Sequence, residues 1–187
     1  IVLGLVLAFW AVSRLRPHTF SGTVLQSVEP ASDFTLTGAG GEQVYLHNYQ
    51  GKMVILYFGY TFCPDVCPAT LSDIVKAVDK LGRKAENVQV IMISVDPERD
   101  TPDGLKDYLA HFNSDFIGVT GTDEEVAAVA AQYGIFYERQ EGNAATGYLV
   151  DHTATVLVVD QEGYLKLVIP FGTTGDEIAA DLAYMLR

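Results

Sequence analysis

Hydrophobic and polar positions follow two different spacings along the chain. Residues 53–58 and 88–95 are almost continuous apolar runs, which is typical of strands buried on both faces of a sheet. Between them, from about Cys67 to Gly82, apolar residues return every three or four positions and predict an amphipathic helix. Because a strand–helix–strand unit pairs its strands in parallel through a right-handed crossover, this stretch predicts an α/β fold.

Two hairpins are predicted, one near each end of this unit. Polarity alternates in residues 33–37 and 42–46 on either side of a cluster of glycines, which is a hairpin pattern. Residues 155–159 and 164–169 predict a second hairpin, and Asp160 is expected to stabilise its turn through side-chain hydrogen bonds.

Three further helix starts carry capping signals. Thr101-Pro102 combines an N-cap threonine with proline in the first helical turn. Thr122–Glu125 and Thr174–Glu177 each have the spacing of a capping box, and Gly134 fits the end of the helix that begins at Thr122. Taken in order, the elements predict a thioredoxin-like fold with an extra N-terminal hairpin.

The first residues of the chain are predicted to belong to a membrane segment. Residues 1–12 are apolar and uncharged, but twelve helical residues span only about 18 Å of a bilayer core that is about 30 Å thick. We therefore interpret residues 1–13 as the end of a truncated transmembrane anchor; a signal segment or a buried helix is the alternative. Residues 19–187 are predicted to form one domain.

Composition narrows the classes of function. The chain has 187 residues, 49% of them hydrophobic, which is enough for one domain with a full core. It carries 12 Lys and Arg against 24 Asp and Glu, and a net charge of −12 argues against a nucleic-acid partner. With only two cysteines, the chain is neither a multi-disulfide scaffold nor an all-cysteine zinc site.

Those two cysteines, Cys63 and Cys67, stand at the predicted junction between the first buried strand and its helix. Pro68 belongs in the first helical turn, so both sulfurs should lie near unpaired N–H groups that favour the thiolate. The redox-active pairs of thioredoxins have two intervening residues, whereas this pair has three. Sulfurs at this spacing can chelate one copper or zinc ion or close a redox-active disulfide. The alternative is a purely structural role, as a plain disulfide or as two inert buried thiols.

A histidine is needed if a metal is to find a third ligand here. His152 precedes the strand predicted at residues 155–159, and in a thioredoxin-like sheet the loop entering that strand faces the cysteines. From spacing alone, His152 could equally be capped or solvated. His18, His47 and His111 are expected to be structural or solvent-facing. Asp96, at the end of a strand beside the site, is expected either to support the ligands without binding metal or to cap a loop, and the cap is favoured.

Three motifs in order carry a family resemblance. They are residues 57–68 (YFGYTFCPDVCP), residues 93–102 (ISVDPERDTP), and Asp151-His-Thr followed by Asp160. From roughly Ser32 to the C-terminus the chain resembles the Sco/SenC family, membrane-anchored copper proteins of thioredoxin fold that assemble the CuA centre of cytochrome c oxidase.

The resemblance implies a ligand set and a location. The two motif cysteines and the distal histidine of the family correspond to Cys63, Cys67 and His152, which would bind one copper ion as Cu(I) or Cu(II). The implied partners are the CuA-bearing subunit of the oxidase, a copper donor protein and the membrane. The domain would then lie on the outer, periplasmic or equivalent, face of the inner membrane.

Two functions of different classes are therefore predicted. The leading hypothesis is a copper metallochaperone; the alternative is a thiol–disulfide oxidoreductase that reduces partner cysteines with the Cys63–Cys67 dithiol and does not need His152. A peroxidase of the peroxiredoxin type fits less well, because Thr61-Phe-Cys63 is one residue short of the Thr-x-x-Cys setting.

Overall fold

A central six-stranded sheet with helices packed against it forms the fold. This computed structural model describes residues 18–142 and 147–187. The strands are β1 Thr23–Val24, β2 Thr35–Thr37, β3 Gln43–Tyr45, β4 Met53–Gly59, β5 Val88–Ser94, β6 Ile117–Val119, β7 Tyr137–Gln140, β8 Leu149–His152, β9 Val156–Val159 and β10 Leu165–Ile169. The helices are α1 Val66–Leu81, α2 Pro102–Ala110, α3 Asp123–Gln132 and α4 Gly175–Met185.

The sheet has the order β1-β10-β9-β4-β5-β6, so β4 lies near its centre. Strands β4 and β5 pair in parallel from Met53 opposite Val88 to Gly59 opposite Ser94, as the apolar runs predicted. On the other side, β9 pairs antiparallel with β4. Every residue of β4 is buried, which explains its uninterrupted apolar sequence.

The helices begin where the capping signals predicted. The Thr101 side chain accepts a hydrogen bond from the Gly104 N–H, and complete capping boxes open α3 at Thr122 and α4 at Thr174. Helix α1, which follows β4 directly, packs against α4. The consequence for function is that the start of α1 is held at the carboxyl end of the most buried strand.

Both predicted hairpins are present. Strands β2 and β3 pair antiparallel with Thr35 opposite Tyr45. Strands β9 and β10 pair around a turn in which Asp160 Oδ1 accepts from the N–H groups of Glu162 and Tyr164, confirming the predicted role of that aspartate.

One hairpin was not predicted from the sequence. Strands β7 and β8 form a separate two-stranded sheet in which Tyr137 lies opposite His152. His152 therefore ends a strand of its own, rather than lying in a loop that enters β9. The pattern that marks strands is absent from β7, because its residues Tyr-Glu-Arg-Gln are mostly exposed.

The predicted anchor, residues 1–13, lies outside the described residues. Within residues 18–142 and 147–187, none of the helices has both the length and the apolar character needed to cross a bilayer.

Candidate metal centre

The two cysteines lie at the carboxyl end of β4. The Cys63 N–H donates to the Tyr60 carbonyl at 3.4 Å in a tight turn, and Cys67 lies in the first turn of α1. The Cys67 N–H donates to the Cys63 sulfur at 3.4 Å. Cys67 is fully buried, Cys63 is partly exposed, and no disulfide joins them. The pair thus presents one accessible sulfur and one protected sulfur.

His152 reaches the same point from β8. Its Nε2 lies 3.4 Å from the Cys67 sulfur, and its Nδ1 lies 3.3 Å from the Thr153 carbonyl oxygen. A carbonyl can only accept, so a proton on Nδ1 suits this contact and leaves Nε2 able to bind a metal, whereas a proton on Nε2 is donated to the sulfurs when no metal is bound. The three predicted site residues are therefore brought together, with their donor atoms all within 4.8 Å of one another.

Aromatic rings and a glycine enclose the buried side of the group. The rings of Tyr57 and Tyr60 meet the His152 ring edge to face, with centroids 6.3 and 6.0 Å away. A side chain at Gly59 would place its Cβ only 3.1 Å from the Cys67 sulfur. The imidazole and the inner sulfur therefore have little freedom to move.

The environment makes the two thiols unequal. A hydrogen bond from the Cys67 thiol lowers the pKa of Cys63 far below its ordinary value, and His152 and the N–H groups of Cys67 and Asp65 add to this against the opposing effect of burial. The same bond, together with burial, raises the pKa of Cys67. Cys63 is thus the thiolate of the reduced pair, and Cys67 holds the shared proton.

This asymmetry predicts the pH dependence of alkylation. An ordinary thiol with a pKa of about 8.5 is less than about 1% thiolate at pH 6. Because the folded protein holds the Cys63 pKa far lower, we expect iodoacetamide to modify reduced, metal-free protein at Cys63 almost as fast at pH 6 as at pH 8. Mass mapping of the modified cysteine measures this, and a rate that falls with a midpoint near 8.5 would contradict it.

The other histidines do not approach this group. His18 contacts the buried Asp181 at 2.7 Å and stacks on Tyr184. His47 is exposed and bonds to Asp33, and His111 bonds to a carbonyl at the end of its own helix. These placements agree with the structural and solvent-facing roles predicted for them.

Of the two roles predicted for Asp96, the favoured one was wrong. Its carboxylate does not cap a loop; it is fully buried, with Oδ2 accepting from Arg99 Nε at 2.5 Å and Oδ1 accepting from the Tyr148 hydroxyl at 2.5 Å. Neither Arg99 nor Tyr148 was singled out from the sequence. The available signal was a pair of charged residues directly after a buried strand, which often marks an internal ion pair.

Two thiolates and one imidazole form a donor set with a chemical preference. Thiolates suit soft ions, above all Cu(I), and imidazole suits copper and zinc. Three protein ligands are fewer than the four of a closed structural zinc site, as expected of a site that exchanges its metal. The same two sulfurs can also lose two electrons and close a disulfide.

Known proteins are similar to this chain in sequence. A family model described as SCO1/SenC matches residues 24–187. The SCO2-like protein RC0895 of Rickettsia conorii is 35% identical over 142 residues, which are 75% of this chain and 69% of that protein. The mitochondrial SCO1 homolog of Homo sapiens is 34% identical over 156 residues, 82% of this chain, and the match spans about half of that longer protein, 52%.

Solved structures share its fold. The solution structure of apo Sco1 from Thermus thermophilus has a TM-score of 0.79 and 45% identity, covering 89% of this chain and 97% of that one. Arabidopsis thaliana ScoI, crystallised with copper bound, has a TM-score of 0.80 and 33% identity, covering 85% and 99%. The predicted α/β, thioredoxin-like class is thereby confirmed.

Proposed function

The chain belongs to the SCO1/SenC family, and we propose that it is a copper metallochaperone that binds one copper ion through Cys63, Cys67 and His152. Members of the family are associated with cytochrome c oxidase assembly, and Sco structures contain copper. One observation carries the proposal: two sulfurs and an imidazole nitrogen, from segments far apart in the chain, lie within 4.8 Å of one another. The proposed recipient is the CuA-bearing subunit of the oxidase.

A copper titration tests the proposal. Reduced protein should take up one equivalent of copper, and addition of Cu(II) should produce a copper–thiolate absorption band. Uptake should fall at low pH, because every ligand must be deprotonated to bind. Failure of the reduced, folded protein to bind copper would refute the proposal, as would binding that survives when the two sulfurs are oxidised to a disulfide.

Removal of the imidazole should weaken binding without abolishing it. In His152→Ala both thiolates remain, so we expect copper affinity to fall at least about tenfold, the lower limit seen when a mere outer-shell partner of a metal is lost. Equilibrium competition with a chelator of known affinity measures the change. His111→Ala is the matched control, because that side chain is exposed and bonds only to its own helix. Equal affinities in the two variants would exclude His152 as a ligand.

A second candidate function is supported by the inequality of the thiols. Cys63 is the accessible thiolate and Cys67 the buried thiol, which is the arrangement of an attacking and a resolving cysteine. The Cys63 thiolate would attack a partner disulfide and release one partner thiolate. Cys67, losing its proton, would then attack the mixed disulfide and release the second. The Cys63–Cys67 pair ends oxidised and the partner reduced.

The two functions can be separated by one variant. Metal-free reduced protein should reduce a disulfide in a CuA domain if the second function holds, and His152→Ala should retain that activity while losing copper affinity. Disulfide reduction that requires His152 would argue against a simple dithiol exchange.

The family and the apolar first residues of the chain support a proposal for the location. We propose that residues 1–13 belong to a membrane anchor and that the copper-binding domain acts on the outer face of the inner membrane. This places the domain on the side where a CuA-bearing subunit and a copper donor could reach it.

A further inference from the structure

We propose that the ion pair of the buried Asp96 and the partly buried Arg99 is a positioning device that holds the cysteine turn and the His152 hairpin at copper-binding distance. The inference rests on the proposed copper function and adds to it residues that touch no metal. Its two arms leave the same short segment, residues 96–100. One arm runs to the cysteine turn and the other to the hairpin that ends at His152.

The first arm runs from Asp100 to the cysteine turn. Asp100 is almost completely buried at 2% exposure. One of its oxygens accepts from the Thr61 hydroxyl at 2.5 Å, and the other accepts from the Thr61 N–H at 3.1 Å and the Ser94 hydroxyl at 2.6 Å. Thr61 is two residues before Cys63, so these bonds fix the backbone that carries the outer sulfur.

The second arm runs from Asp96 and Arg99 to the hairpin. Arg99 bonds to Asp96 through Nε and donates from Nη1 to the Tyr148 carbonyl at 3.0 Å. The Tyr148 hydroxyl donates a hydrogen bond to Asp96, and the centroid of the Tyr148 ring lies 3.6 Å from Cζ of the Arg99 guanidinium. Tyr148 directly precedes β8, so this closed set of contacts fixes the start of the strand whose last residue is His152.

The arms meet on aromatic rings. The Arg99 guanidinium also lies 4.7 Å from the Phe62 ring and 5.7 Å from the Tyr60 ring, both in the cysteine turn. The Tyr60 hydroxyl accepts a hydrogen bond from the Val150 N–H at 3.2 Å. One guanidinium thus contacts both halves of the site, although Cys67 and His152 are 85 positions apart in the chain.

Physical chemistry favours a geometric role over a purely stabilising one. Burying a charged pair costs desolvation energy that apolar side chains of the same size would avoid, so it is a poor way to gain stability alone. A planar guanidinium that donates from Nε to Asp96 and from Nη1 to the Tyr148 carbonyl does give direction, since it fixes the angle as well as the distance of its two partners. The hairpin needs such direction, because it is a two-stranded sheet outside the main one.

The test compares two Tyr→Phe variants by copper binding. Tyr148→Phe removes the bond to Asp96 and keeps the ring on Arg99, and we expect copper affinity to fall about tenfold, with a shifted Cu(II)–thiolate band and an unchanged alkylation rate of Cys63. Tyr133→Phe is the control, since its buried hydroxyl bonds to the Ser32 carbonyl elsewhere in the fold. It should lower thermal stability without changing affinity or spectrum. Wild-type affinity and spectrum in Tyr148→Phe would overturn the inference.

Three further variants keep the inference falsifiable if Tyr148→Phe does not fold. Thr61→Val removes the hydroxyl bond to Asp100 and keeps the N–H bond, so it weakens only the arm to the cysteine turn and should alter Cys63 alkylation as well as copper affinity. Arg99→Lys keeps the positive charge but loses the planar guanidinium that donates to two partners. It should bind copper more weakly than wild type yet more tightly than Arg99→Gln. Equal binding by both Arg99 variants would count against positioning. Absence of copper binding by the wild-type protein would instead refute the proposed function.

Discussion

Cys67→Ala is expected to abolish copper binding. The Cys67 sulfur is the innermost donor, 3.4 Å from His152 Nε2 and fully buried, so no neighbouring side chain or water can replace it without repacking the site. Loss of a direct ligand should exceed the roughly 10–100-fold penalty that follows loss of an outer partner. Copper titration under reducing conditions, with circular dichroism to confirm the fold, measures the effect.

A serine at the same position separates the roles of Cys67. Cys67→Ser should also lose copper, but its hydroxyl can still donate to the Cys63 sulfur. The low pKa of Cys63 depends above all on that donated hydrogen bond. We therefore expect Cys63 to remain rapidly alkylated at pH 6 in Cys67→Ser and to slow markedly in Cys67→Ala. Wild-type copper affinity in Cys67→Ser would defeat the proposed ligand set.

The sequence identified the half of the site that is local. The local half consists of Cys63, Cys67 and Pro68, which lie close together in the chain. The apolar run of β4 followed by helical spacing is enough to place them at a strand–helix junction. Placement of His152 depended on the family resemblance, because its approach to Cys67 spans 85 positions and depends on tertiary structure. Periodicity reports which face of an element is buried, and it carries no information on which distant elements meet.

The supporting residues were harder to predict for a related reason. The β7–β8 hairpin was not predicted because β7 is mostly exposed and β8 places only Val150 fully in the main core, and its start is also held by the contact of Tyr148 with Arg99. For Asp96 the sequence left a loop cap and a supporting role beside the site open, and the cap was favoured. Its burial becomes intelligible only once the guanidinium of Arg99 and the hydroxyl of Tyr148 are seen to satisfy it.

Gly59→Ala is expected to displace the Cys67 sulfur and so weaken copper binding. A Cβ on this last residue of β4 would lie 2.8 Å from Cε1 of the Tyr57 ring and 3.1 Å from the Cys67 sulfur. Tyr57 is completely buried and cannot move aside, so the sulfur must shift. We expect a loss of about 1–3 kcal/mol in the free energy of unfolding, as is typical of an overpacked core, together with weaker copper binding.

A second glycine shows whether the effect on copper is specific. In Gly118→Ala the new Cβ would lie 2.6 Å from the Leu105 Cβ, a clash of similar severity between β6 and α2 that involves no site residue. Both variants should unfold at lower denaturant concentration, and only Gly59→Ala should lose copper affinity and shift the copper–thiolate band. Equal copper binding by the two variants at matched stability would show that the Cys67 sulfur tolerates displacement. The rigidity of the site would then reside in the Cys63 turn and the His152 hairpin alone.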